Sequence, residues 1–386
     1  MIHALPTRSI LDFGVISDAS TIQTKTVQAA IDAGPGVLVF PAGTYRSGTL
    51  HLRSHLTIRL EVGAVLLGSD NIADYQDSGF WGGGFIVGVD LVEVTLEGPG
   101  VIDGNDCANP QGEEGFRGPH CLALTSCKNL HISQVTIQRS ANWAFNFVSC
   151  SDVEFSAVNI RGGHDGVDAM HCQRFTFIGC NFSTGDDCVA GADNADFVFT
   201  NCRFNSSCNA FRFACMGLRV ESSRFQGPGE YAHKITKQTT MLAAFLHFAP
   251  PERRNCAGTQ PLSDDWLIVD CLIENVCQLY EFDTRTLWQN GRPVAHLTFR
   301  DVTARGLRKP IFVCGDSARH FRLTLERVSL AIPVGSWFHH PFIDLRSFDG
   351  LEVRDLTCIG VDATHPPFST VDGKRFDVYG MTCLPS

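Results

Sequence analysis

The chain of 386 residues is poor in charge and poorest in positive charge. Only 19% of its residues are Asp, Glu, Lys or Arg, and 31 Lys and Arg stand against 41 Asp and Glu, for a formal net charge of −10. That balance excludes the basic footprint that nonspecific nucleic-acid binding needs. It also weighs against a polyanionic ligand unless a local patch overrides the total. No GxGxxG or Walker sequence follows a strand and opens a helix, so no nucleotide site is predicted. The 16 cysteines include no CxxC pair with zinc-like spacing, and neither a metal nor another cofactor is expected. No apolar run is long enough to span a membrane. The opening "MIHALPTRSILDFG" lacks a signal-peptide hydrophobic stretch, which leaves a cytoplasmic protein or a chain without its leader. Helix is scarce as well. After residue 36, no second long helical pattern appears in the first 225 residues.

What remains is apolar and rich in turns. Apolar residues make up 44% of the chain and glycines number 36, enough for a large core and many reversals. Most cysteines stand in strand-like runs such as "FIGCNF" and "FTNCRF", where a free thiol serves as a small hydrophobe. Residues 21–33 read as a short amphipathic helix with Ile22, Val27, Ala30 and Ile31 as its stripe and Gly34 as its stop. Strands follow, and they repeat. Val135, Val158, Cys180, Cys202 and Ser223 are spaced by 23, 22, 22 and 21 residues, and Cys127, Cys150, Cys172, Asn194 and Cys215 by the same intervals. "WLIVDCLIENV", "HLTFRDVTARG", "RLTLERVSLAI" and "LEVRDLTCIG" resemble the same unit at longer spacing. A period near 22 with strands but no helix predicts an all-β stacked solenoid, residues 1–386 as one domain, with the early helix capping its N-terminal end.

That period brings carboxylates together. Asp165 precedes Asp186 by 21 residues and Asp187 by 22. Parallel strands lie about 4.8 Å apart, so the three would crowd one face. "GHDG" and "GDD" are also ordinary turn sequences. In register with an independent period, however, they have the makings of an acid and a base for glycoside hydrolysis by inversion.

The residues reach a resemblance here. "LDFG", "LVFPAGTY", "SGTLHLRSHLTIRLEVGAVLLGS", "GVIDG" and the coil "SANWAFNFVSCSDVEF" are similar to the polygalacturonases and relatives of glycoside hydrolase family 28. The family's Asn-Thr-Asp-Gly motif falls on Gly163, His164, Asp165 and Gly166, and its Gly-Asp-Asp motif on Gly185, Asp186 and Asp187. The resemblance implies a right-handed parallel β-helix. It implies Asp186 as general acid, with Asp165 and Asp187 deprotonating the attacking water. Where the family carries a Gly-His-Gly histidine this chain reads "SSCNAFRF", with Cys208 or Asn209 near its place. The family's Arg-x-Lys pair has no counterpart at Arg219, and "HKITK" offers Lys234 or Lys237 out of position.

Substrate contacts are expected from His164, Asp168, Asn209, Arg212, Trp143, Lys234 and Tyr280, with Trp81 a further stacking candidate. Arg212 reads equally as a ladder-edge residue paired with an acid, and His171 as a polar residue entering a strand. Residues 226–265 break the period and read as a long loop with a short helix near the cleft, which favours exo action. The expected partner is an oligo- or polysaccharide, pectic or neutral, and nothing in the sequence fixes an oligomeric state. Two rival functions are a lyase using calcium on residues 165, 168, 186 and 187, and a glycan-binding or structural β-helix without catalysis.

Overall fold

The computed structural model describes residues 6–76, 83–248, 263–286, 289, 294–315, 321–336 and 338–385. Two compact units divide the chain, residues 1–184 and 185–386. Both are built of right-handed parallel β-helix coils.

In the first unit, three short strands make each coil. His120–Thr125, Lys128–Ser133 and Thr136–Gln138 form one, Phe145–Val148, Ser151–Ser156 and Asn159–Gly162 the next, and Val167–Met170, Gln173–Ile178 and Asn181–Thr184 a third. Each strand pairs in register with its equivalent one coil on, as Leu124 with Phe147, Val153 with Phe175 and Ile160 with Phe182. Register turns a sequence repeat into a ladder of like residues. Phe155 lies over Phe177 with ring centroids 4.4 Å apart and planes 13° from parallel. Burying such a ring contributes about 1.5–3 kcal/mol.

The cysteines ladder for a second reason. Cys127 N donates to Cys150 Sγ at 3.4 Å, and Cys150 N to Cys172 Sγ at 3.4 Å. Each thiol turns back to a carbonyl two residues earlier: Cys127 to Thr125 O and Cys172 to Met170 O, both at 3.3 Å. The thiol is small enough for the interior yet closes a buried backbone N–H at the turn. The described cysteines are free thiols. Burial pushes the Cys121 thiol up to about 12, so it stays protonated.

The expected helix forms over Thr24–Asp32 and buries Val27, Ala30 and Ile31. Ile22 falls outside it and is 39% exposed, so it leaves the expected stripe. Gly34, at φ +105°, takes a backbone turn open to glycine. Gln28 exchanges two hydrogen bonds with the His51 backbone, 2.9 Å from Nε2 to O and 2.8 Å from N to Oε1, which fastens the helix on the coils.

In the second unit, Val189–Thr200 pairs with Asn209–Glu221, and the later repeats stack with Trp266 on Leu297, Leu297 on Leu323 and Leu323 on Leu351. Ser223 does here what cysteine does above, its Oγ accepting from Cys202 N at 3.1 Å. Among the described residues of 226–265, the expected short helix does not form. "AAFLH" is the strand Ala243–His247, with Phe245 opposite Phe211 on one side and Tyr280 on the other. The period-2 pattern wins because Phe245 completes an inward stack, 5.1 Å from Phe211. The insertion ahead of it is residues 227–242; residues 249–262 of the expected loop lie outside the described ones, as does Trp81.

Candidate functional site

One class of turn, the one leading into the first strand of a coil, collects the chemistry. In the first unit it spans 139–144 and 163–166, and in the second 185–188, 207–208 and 227–242.

In the first unit, Asp165, His164 and Asp168 are only 3%, 4% and 7% exposed, burial that carboxylates seldom accept without partners. Ala144 N donates to Asp165 O at 3.0 Å and Phe145 N to Gly166 O at 2.9 Å, so this turn lies one coil on from Trp143. Trp143 is half-buried with its ring 4.9 Å from His120, and Ser140 Oγ donates to its carbonyl at 2.8 Å. Phe116 stacks on His164 at 5.8 Å. Asp168 occupies the strand position opposite Asn146. His171, at φ +58°, is a turn residue ahead of the next strand.

In the second unit, Asp187 is buried and held on both oxygens. Oδ1 accepts from Asn209 N at 3.2 Å and Asn209 Nδ2 at 2.8 Å, and Oδ2 accepts from Arg212 Nε. The Arg212 guanidinium lies over the Phe248 ring, 4.5 Å from its centroid. Asn209 and Arg212, both expected at substrate, are thus engaged first with Asp187. Of the two readings of Arg212, pairing with an acid is the one observed. Asp186 is half-buried. Its Oδ1 accepts from Asp187 N at 3.1 Å and its carbonyl from Ser206 Oγ at 2.7 Å, while Ser206 Oγ also accepts from Cys208 N at 2.7 Å.

The sequence reading missed His233. The 227–242 loop is tied to the coil by Asn205, whose Nδ2 donates to Gln226 O at 2.6 Å and Pro228 O at 2.8 Å and whose Oδ1 accepts from Glu230 N at 2.7 Å. Gly229 fits because any Cβ there would meet Ser207 Oγ at 2.1 Å. So anchored, the loop brings His233 Nε2 to 3.5 Å from Asp186 Oδ2. His233 Nδ1 accepts from Ile235 N at 3.1 Å and Thr236 N at 3.2 Å. Those two donors need the Nδ1 lone pair, which puts the ring proton on Nε2, facing Asp186. Lys234 is the next residue on the same loop.

Ligand atoms of Asp186, Cys208 and His233 lie within 4.8 Å of one another, a set that zinc would favour by type. The tautomer argues otherwise. His233 offers Asp186 an N–H, and ligating a metal through Nε2 would move that proton onto Nδ1, against two backbone N–H groups. What the structure shows is His233 Nε2 within ion-pair range of Asp186, with Nδ1 already taken by two backbone donors.

Tyr280 is the clearest correction. It is fully buried, on the inward side of its strand between Phe245 and Ile311, and parallel to Phe321 at 6.2 Å. It belongs to the core and cannot line a substrate surface. Its neighbour Glu281 takes the outward position.

With fold and site in view, the molecule is first of all a parallel β-helix protein. The structure of the Streptococcus pneumoniae surface protein and adhesin PfbA shares that fold at TM-score 0.59 and 13% identity, covering 98% of this chain and 99% of that one. Sequence goes further. Residues 32–207, a little under half of the chain, match the model of glycosyl hydrolases family 28. Over 72 residues it is 46% identical to an exo-poly-alpha-D-galacturonosidase of Dickeya chrysanthemi, covering 18% of this chain and 12% of that one. Over 202 residues it is 28% identical to a probable polygalacturonase of Vitis vinifera, covering 45% and 41%. The chain spans less than half the length of either relative.

Proposed function

We propose that this protein hydrolyses O-glycosidic bonds of a pectic-type polysaccharide or its oligosaccharides, from a chain end and with inversion. Asp186 is the acid that protonates the leaving oxygen. Asp165 and Asp187 hold the attacking water and take its proton, and the new C–O bond forms on the opposite face of the sugar. The 21- and 22-residue spacings of Asp165 from Asp186 and Asp187 support the trio, because one coil in each unit advances by that step.

The observation that carries the reading is the contrast between two adjacent carboxylates. Asp187 is buried and oriented by Arg212 and Asn209, whereas Asp186 is more open and faces His233 Nε2–H. Sites that divide acid and base work between two carboxyl groups give them different surroundings. The loop bearing His233 supports a closed-ended pocket, and with it exo action. The name of the Dickeya relative points the same way.

The test is reducing-sugar release from polygalacturonate, rhamnogalacturonan, arabinan and galactan, beside Asp186→Asn. Release from one substrate that collapses in the variant, with NMR showing the first product in the opposite anomeric configuration, is the expected result. Release that survives the substitution sinks the assignment. Binding without release by the unaltered protein would favour a glycan-binding role, which Arg212's hold on Asp187 also fits.

A further inference from the structure

The outer column of the second unit continues well past Arg212. Register carries it from Arg212 to Leu246, Glu281, Phe312 and Asp344. At about 4.8 Å per coil, Glu281 stands about 10 Å from Arg212 and Asp344 about 19 Å. Around the far end of this column lies a polar cluster that the proposed reaction does not use.

Asp344 is 6% exposed, and its Oδ1 is buried without a hydrogen bond. Arg346 Nε stays 3.6 Å from it, too far to donate properly. Lys309 is half-buried with Nζ 3.4 Å from the centroid of the Phe312 ring, and it makes no ion pair among the described residues. Burial pushes the Lys309 ammonium below its ordinary value, while Glu281, Asp283 and Asp344 pull it back up. Burial also holds the nearby His340 imidazole down, and Lys309 adds to that. Asp283 is committed to Arg285, at 2.8 and 2.7 Å.

A buried acceptor without a donor is costly, and here it stands in the electrostatic field of a partly desolvated donor. We propose that Lys309 and Asp344 form a second sugar-binding site, in which Lys309 donates to one hydroxyl of a vicinal pair and Asp344 accepts from the other. The sugar is a more distant unit of the chain whose end occupies the site at Asp186, so the inference rests on the glycan reading. Lys309, Arg285 and Arg346 are matched by Glu281, Asp283 and Asp344. The cluster therefore holds no surplus positive charge to recruit a carboxylate, and hydroxyls are the groups it suits.

The test is titration calorimetry of the Asp186→Asn protein with polygalacturonate, galactan and arabinan. Adding Lys309→Met keeps the packing over Phe312 and removes the donor. Adding Lys309→Arg restores a donor, and adding Asp344→Asn removes the charge. For the polymer that the parent binds, Lys309→Met and Asp344→Asn are expected to weaken binding about tenfold. Lys309→Arg should recover most of it, with unfolding midpoints unchanged for the lysine variants. Equal binding by Lys309→Met and its parent overturns the inference, as does a parent that binds none of the three. Sugar release by the unaltered protein is scored separately. Release with no effect of Lys309→Met removes this site and leaves the hydrolase standing. Binding that depends on Lys309, without release, does the reverse.

Discussion

Two turns recur in the coils of this protein, and they behave in opposite ways. The turn that Cys127, Cys150 and Cys172 close repeats its chemistry coil after coil: the same atom type, the same donor, the same carbonyl two residues back. The turn leading into the first strand never repeats. It carries Trp143, then His164 and Asp165, then Asp186 and Asp187, then Cys208 and Asn209, and finally a loop with His233. Where every coil solves the same problem, that of satisfying a buried N–H, the solution is copied. Where the residues differ from coil to coil, the repeat does not dictate them, which is the pattern expected of the site proposed above.

Substitutions can break that contrast. Asp186→Asn should lower kcat by about a thousandfold with the unfolding midpoint unchanged, whereas Cys150→Ala should leave kcat alone. A thousandfold loss at both turns, or at neither, would erase the distinction. Arg212→Met should cost about 3 kcal/mol in urea unfolding, because it strands the buried Asp187 carboxylate, with the partial exposure of Arg212 limiting the loss. Asp187→Asn made together with Arg212→Met should recover part of it. His233→Gln should lower kcat about tenfold by weakening the contact to Asp186, with a small loss of stability because Ile235 N and Thr236 N, both exposed, lose the Nδ1 acceptor. The smallest effect belongs to the copied turn. Cys150→Ala should cost about 1 kcal/mol by depriving Cys127 N of its acceptor, and Cys150→Ser less, as Ser223 already plays that part for Cys202.

The copied turn is also what the sequence reveals best. Two markers holding one period were enough to predict parallel coils and to place Asp186 and Asp187 on a turn, and the cap helix could be read from Val27, Ala30 and Ile31. His233 was not legible, because the 227–242 loop has no repeat to set it in register and "HKITK" draws the eye to its lysines. Tyr280 was misjudged because "QLYEFD" alternates imperfectly, and only its pairing with Phe245 and Ile311 decides which side faces in. Ala243–His247 hid for a related reason. A short apolar run suits helix or strand until Phe211 beside it settles the matter.

The residue-for-residue pairing of successive coils limits how such a chain can change length. Loss of one residue inside Gln173–Ile178 would turn Phe175 and Phe177 to the wrong side and undo the pairing with Ser151–Ser156. Loss of a whole 22-residue repeat would leave every remaining partner facing an equivalent one. Extra residues are tolerated at the turn entering the first strand, where 227–242 has been added and Ala243–His247 still meets its neighbours in step. Relatives should therefore differ in whole coils or in loops at that turn, and new recognition can be grafted onto the loop without recomposing the core.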